Sequence, residues 1–273
     1  MRKVNRDSVI FPARLQNLTA ENLAHLNNYE QISNSIYAHN DVKQSLGDLY
    51  FDKCYICECD VSDEKYDVEH YKPKKLFPHL AYEWSNLHKV CDKCNLAKEK
   101  KEFFIYNNGA VVDINLLDPS SNEYDINEYI RYNVIGLAEI VNIGNNLVVI
   151  GKARKTIEYL NGEVSSEYCK RLPFRRSTRQ NNFLRFCMEE LSDHKNRIRE
   201  IKLNLSNYTA PLEPEKLESD QHICDKLINA EEIYLSDKSI FSSSTKTNLY
   251  PTLNITYAEL VQIINKMRFE LGL

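Results

Sequence analysis

Cys91-Asp-Lys-Cys94-Asn-Leu-Ala-Lys98 places two cysteines three positions apart and runs straight on into an asparagine and a lysine. Cys54-Tyr-Ile-Cys57 has the same spacing, and 33 residues separate the two pairs. Each Cys-x-x-Cys can form a tight knuckle that presents two thiolates, and two knuckles complete a tetrahedral zinc site. A redox Cys-x-x-Cys is the alternative for either pair alone, but a second matched pair argues against it. Zinc held by Cys54, Cys57, Cys91 and Cys94 is closed and four-coordinate, so it holds shape rather than performing chemistry. Cys59 either replaces Cys57 or is a bystander; the mirrored spacing favours the bystander. Cys169, Cys187 and Cys224 stand alone and read as inert core or surface thiols.

Between the pairs lies an alternating run, Tyr66-Asp67-Val68-Glu69-His70, which stops at Pro73 among Lys72, Lys74 and Lys75. Residues 65 to 101 hold nine lysines against five acids, a +4 window on a chain whose net charge is -4, so the remainder carries -8. A local positive window on an acidic body suits a phosphate-binding site better than a wholly basic nucleic-acid binder. A solvated lysine-rich face is the plain alternative.

Further elements stand in the same order: Val68-Glu69-His70-Tyr-Lys-Pro73, then Asn86-Leu87, then Cys91-x-x-Cys94-Asn95-x-x-Lys98. Together they resemble the HNH endonuclease family, over about 50 of the 273 residues. The resemblance implies a ββα-metal fold: two short strands, a loop between them and a helix beginning near Asp92. It implies His70 as general base, with Glu69 and Asn95 holding a catalytic Mg²⁺ or Mn²⁺. Asn86 would be an orienting residue that ties the loop to the backbone, and Lys98 would face a phosphate with Lys72, Lys74 and Lys75. Asn95 stands where His is common and still supplies an oxygen; Glu69 stands where Asp is common. His79 and His88 remain competing ligands.

The chemistry agrees with these residue types. Phosphodiester hydrolysis needs an activated water and neutralisation of the developing charge. An imidazole suits the first, and carboxylate and amide oxygens suit a hard divalent cation. Trp84 and Leu87 read as core anchors of a small module.

Outside that module the pattern is mainly helical. Residues 19 to 49 read as two helices, the first capped at Thr19 and the second at Asn40-Asp41. A hairpin is expected over 129–143, turning near Gly136, with helices over 148–160, 176–205 and 257–271. Residues 237–251 read as a mobile loop. The expected fold class is therefore α+β, mainly helical: a helical lead (1–51), a zinc-stabilised HNH module (52–104) and a mainly helical C-terminal region (105–273). With 27% charged residues and no window of about 18 apolar residues, the chain reads as soluble, with no membrane partner. The first seven residues lack the apolar core of a signal peptide, and a cytoplasmic address is the default.

More broadly, Met1-Arg-Lys-Val-Asn-Arg6, the helical lead, Cys54-Tyr-Ile-Cys-Glu58 and the helical C-terminal half are similar to the HNH nuclease subunits of Septu anti-phage systems, including those attached to retrons. That resemblance implies an ABC/SMC-type ATPase partner and a defence effector that cuts DNA or RNA. A stand-alone restriction or homing nuclease is the alternative, and a non-catalytic zinc-stabilised binding module is another. Arg171, Arg175, Arg176, Arg179 and Arg185 sit in a stretch free of acids, either a phosphate grip or a docking face.

Overall fold

The computed structural model describes residues 1–62, 66–98, 101–141, 146–164 and 166–273. It is mainly helical with small two-stranded sheets. The chain divides into two compact units, one of residues 1–131 and 137–173 and the other of 132–136 and 174–273. The lead, the cysteine module and the first part of the C-terminal region thus share one unit. Lys65 and Lys100 of the basic window, and residues 142–143 of the expected hairpin, lie outside the described residues.

The lead departs from the two helices expected. Only short pieces form before residue 40: α1 (Ala13–Gln16), α2 (Ala20–Ala24), 3-10 turns at His25–Asn27 and Tyr29–Gln31, and α3 (Asn34–Tyr37). Thr19 does cap α2, in a reciprocal box with Asn22. Beyond it, Asn28 Oδ1 accepts from the Glu30 amide and Ser33 Oγ from the Ser35 amide. Such local side-chain bonds compete with the helix ladder and restart the chain at each one. The second helix forms, with His39 rather than Asn40-Asp41 as its N-cap: α4 (Asn40–Tyr50) buries Val42, Leu46, Leu49 and Tyr50 along one face. It ends on two residues of positive φ, Phe51 and Asp52. The Asp52 carboxylate folds back over the last turn, 2.9 Å from where a Cβ on Gly47 would lie.

Next come β1 (Asp67–His70) and β2 (Leu87–Val90), paired antiparallel with Glu69 opposite His88 and His70 opposite Leu87. α5 (Asp92–Lys98) follows directly. A second hairpin, β3 (Phe104–Asn107) and β4 (Ala110–Ile114), was not expected; Asn108 and Gly109 make its two-residue turn with φ of 48° and 80°. The expected hairpin near Gly136 is present but shorter, β5 (Ile130–Tyr132) with β6 (Ala138–Ile140). α6 (Leu147–Leu160) and α7 (Glu167–Lys170) complete this unit. Tyr159, buried on α6, donates its hydroxyl to the Cys94 carbonyl at 3.2 Å and so anchors the second cysteine pair from outside the module.

In the other unit, α8 (Leu172–Glu190), α9 (Lys195–Leu203), α10 (Pro214–Ala230), α11 (Ser242–Thr245), α12 (Leu249–Leu253) and α13 (Tyr257–Leu271) surround a core that includes Phe183, Ile223, Leu227, Leu260 and Met267. Three expectations meet different outcomes here. The single helix over 176–205 is two helices, divided by a 3-10 turn at Ser192–His194. The loop expected over 237–251 holds α11 and α12, with Ser242, Ser244 and Thr245 buried. α13 has the expected bounds, with Thr256 and Glu259 in a capping box. Cys187 and Cys224 are core thiols of this unit, as Cys169 is of the first. No helix among the described residues is long and apolar enough to cross a membrane.

Candidate metal centre and adjoining cavity

The two Cys-x-x-Cys pairs come together. The sulfurs of Cys54, Cys57, Cys91 and Cys94 are buried and lie within 4.8 Å of one another. Cys57 and Cys91 are 3.9 Å apart, close to the roughly 3.8 Å edge of a tetrahedron with Zn–S near 2.3 Å. Local backbone bonds build each knuckle. Glu58, at φ 61°, sends its amide to the Cys54 carbonyl, and the Cys94 amide points at Cys91 Sγ. The Tyr55 amide donates to the Lys89 carbonyl at 2.9 Å, tying the first knuckle to β2. Burial pushes the Cys57 and Cys94 thiols up, whereas the three sulfurs around Cys91 hold it low. Four buried sulfurs that converge in this way can hold a zinc ion, whose charge would stabilise the thiolates. Cys59 stands beside the cluster, where the Tyr168 hydroxyl donates to its sulfur at 3.0 Å.

A cavity of about 370 Å³ is lined by Glu69, His70, Asn95, Asp67, Tyr37 and Lys74 among others. His70 is 5% exposed. Its Nε2 lies 3.0 Å from the Ala81 carbonyl, which can only accept, so Nε2 carries the proton and Nδ1 is the basic nitrogen. Burial, with Lys74 and Lys98 nearby, lowers its pKa to about 4, so the ring is neutral at pH 7. Asn95 donates Nδ2 to Asp67 Oδ2 at 2.9 Å. Its Oδ1 is buried and has no hydrogen-bond partner among the described residues. An orphaned amide oxygen beside two carboxylates is the donor set that a hard divalent cation takes. Glu69, whose Oε1 is held by Lys98 Nζ, and Asn95 both bring such oxygens to this cavity, and Asp67 accepts from the nitrogen end of the amide.

The remaining expected site residues occupy varied places. Asn86 is buried and clamps the loop: Oδ1 accepts from the Lys72 amide at 2.7 Å, and Nδ2 donates to the Lys72 and Leu80 carbonyls. Lys98 is 2% exposed, with Nζ on Glu69 Oε1 at 2.5 Å and the His70 carbonyl at 2.8 Å, turned inward rather than toward solvent. Lys72 pairs with Asp113 at 3.1 Å. Lys74 points to the Tyr37 hydroxyl, and Lys75 is exposed near the Tyr29 ring. His79 is exposed and lines no part of the cavity. His88 is wholly buried against Tyr50 and Arg6. Trp84 and Leu87 are buried anchors, with Arg6 stacked over the Trp84 ring. In the second unit the arginine run is not a uniform face. Arg176 is buried with Nε on the Gly136 carbonyl, Arg179 reaches the Ile233 carbonyl over the Tyr234 ring, and Arg175 and Arg185 are exposed.

Sequence reasoning missed Asp67, Tyr37, Lys43 and Tyr66 as cavity residues. Asp67 was within reach, because it shares a strand face with Glu69 two positions away. Tyr37 and Lys43 come from the lead and carry no local signal.

Over 67 residues the chain is 39% identical to the Septu protein PtuB of Bacillus thuringiensis. The match covers 24% of this chain and 26% of that relative, so the chain matches about a quarter of the relative's length. No family model matches the chain, and no solved structure matches it.

Proposed function

We propose that this chain is a metal-dependent nuclease of the HNH type, the effector of a Septu-like anti-phage system. The observation that carries it is the meeting of His70, Glu69 and the unpartnered Asn95 oxygen on one cavity, beside a four-cysteine cluster that can hold the local fold. His70, neutral and with Nε2 anchored, accepts a proton from water at Nδ1. Glu69 and Asn95 would hold Mg²⁺ or Mn²⁺, which supplies charge neutralisation at the phosphate and at the departing oxygen. Asn86 keeps the strand-to-strand loop in place, and Lys74 meets the nucleic-acid backbone.

The partial likeness to a Septu protein supports the defence role, and with it an ABC/SMC-type ATPase partner. The charge distribution supports the same assembly. Lys72, Lys89 and Lys98 of the basic window are each paired with an acid, and the body outside the window is net negative. These pairings reduce the number of cations left to neutralise phosphates, and non-specific affinity scales with that number. Zinc-loaded chain, alone and with the ATPase, should be tested on plasmid DNA and on RNA, in Mg²⁺ or Mn²⁺ and in EDTA. Cleavage that needs the divalent ion and rises with the ATPase is expected. Binding without cleavage under every condition would leave a non-catalytic module. Strong cleavage by the isolated chain at physiological salt would favour a stand-alone nuclease.

A further inference from the structure

Tyr37 is the last residue of α3, in the lead, far from the cysteine framework in sequence. Its ring meets the His70 imidazole edge-on, with centroids 4.6 Å apart and an interplanar angle of 68°. Its hydroxyl accepts a hydrogen bond from Lys74 Nζ at 2.6 Å, and the same ammonium lies 4.3 Å from the ring centre. All three side chains line the cavity that holds Glu69 and Asn95. α3 is itself held in place: Ile36 is 1% exposed, and the Ser33 amide donates to the Tyr82 hydroxyl at 2.9 Å.

We infer that Tyr37 is a positioning residue that couples the phosphate grip to the general base. Its ring sets the plane of His70, and its hydroxyl aims the Lys74 ammonium into the cavity. This rests on the nuclease reading above. The chemistry favours the arrangement on two counts. An ammonium has three protons, so one spent on the phenol oxygen leaves others for phosphate oxygens. A lysine held by a charge-assisted bond has already lost the rotamer freedom that phosphate binding would otherwise cost. The imidazole, fixed at Nε2 by the Ala81 carbonyl, has a second restraint in the tyrosine ring. One side chain from the lead thereby keeps the proton acceptor and the phosphate in register.

The test is steady-state cleavage of plasmid DNA, or of RNA if the wild type cuts only RNA, by zinc-loaded full-length chain. Wild type, Tyr37→Phe, Tyr37→Ala, Lys74→Met and Tyr37→Phe/Lys74→Met are compared. Tyr37→Phe keeps the ring and loses the hydroxyl, so KM should rise about 3- to 10-fold, with much less effect on kcat. Tyr37→Ala loses both contacts, and kcat should fall about 10-fold or more as well. Because hydroxyl and ammonium act as a unit, the double variant should be no worse than Lys74→Met alone. Tyr37→Phe indistinguishable from wild type, or effects of the two substitutions that multiply, would overturn the coupling while leaving the nuclease intact. A wild type that cuts neither substrate would overturn the nuclease reading and the coupling with it.

Discussion

Two histidines of the strand pair are buried, and they serve different ends. His70 reaches the cavity, whereas His88 is 0% exposed and packed among Tyr50, Tyr55 and Tyr71. Arg6 Nη2 lies 3.3 Å from His88 Nε2 and can only donate, so Nε2 accepts and Nδ1–H donates to the Tyr50 hydroxyl at 2.7 Å. Burial first, then the positive charges of Arg6 and Lys98, holds the His88 pKa well below the usual 6.5, and Asp118 at 3.8 Å does not reverse this. In the unfolded chain the same imidazole takes up a proton below about pH 6.5. Its folded pKa is depressed, so its contribution is complete above that pH and is lost as pH falls, by at most about 1.4 kcal/mol per unit. His88→Gln should therefore cost about 1–3 kcal/mol at pH 8 through the lost hydrogen bonds. That penalty should shrink between pH 6.5 and 5. Thermal unfolding of both proteins at saturating zinc measures it; a gap that stays constant across this range would show that His88 is not buried neutral.

At the scale of elements, the cysteine pairs were fully legible, because a ligand set is written in spacing and does not depend on the rest of the fold. The strand carrying Glu69 and His70 was legible in its alternation, and the helix beginning near Asp92 was what the family resemblance implied. The lead was read too smoothly: apolar residues at helical intervals suggested one helix, but Asn28 and Ser33 bond to nearby amides and divide it. The β3–β4 hairpin had a signal that was passed over, Asn108-Gly109, the dipeptide that adopts positive φ at both turn positions. The long basic helix was divided where Leu191-Ser-Asp-His194 interrupts α8 and α9. Lysines misled most. Lys89 and Lys98 look like surface charges in a basic run, yet both are buried with carboxylate partners that only the folded chain brings near. The framework itself is open to a direct test. Purified protein should carry about one zinc per chain, and Cys91→Ser should unfold or aggregate, since metal binding in such modules is folding energy. Metal analysis with circular dichroism checks both, and a folded, zinc-free Cys91→Ser protein would remove zinc from the account.

At the scale of the whole molecule, the chain is mildly acidic with a basic window over 65–101 and an acid-free basic run over 168–188, and it divides into two units, the first of which contains the cysteine cluster and the cavity. The second unit has a separate cavity lined by Glu215, Glu218, His222 and Asp225, without a four-cysteine cluster among its described residues. Its arginines, read from sequence as one run, split between carbonyl-bound positions at Arg176 and Arg179 and exposed ones at Arg175 and Arg185. Half of the cavity's character was likewise hidden from sequence, since Tyr37 and Lys43 reach it only through the packing of the lead. The central claim is that His70 in this cavity takes the proton in phosphodiester hydrolysis. His70→Ala leaves the four cysteines, Asn86 and Asn95 untouched, so fold and zinc content should match the wild type. With equal zinc and saturating Mg²⁺ or Mn²⁺, its cleavage rate should fall by about 10²- to 10⁴-fold. A folded, zinc-loaded His70→Ala protein that cuts at the wild-type rate would contradict the account.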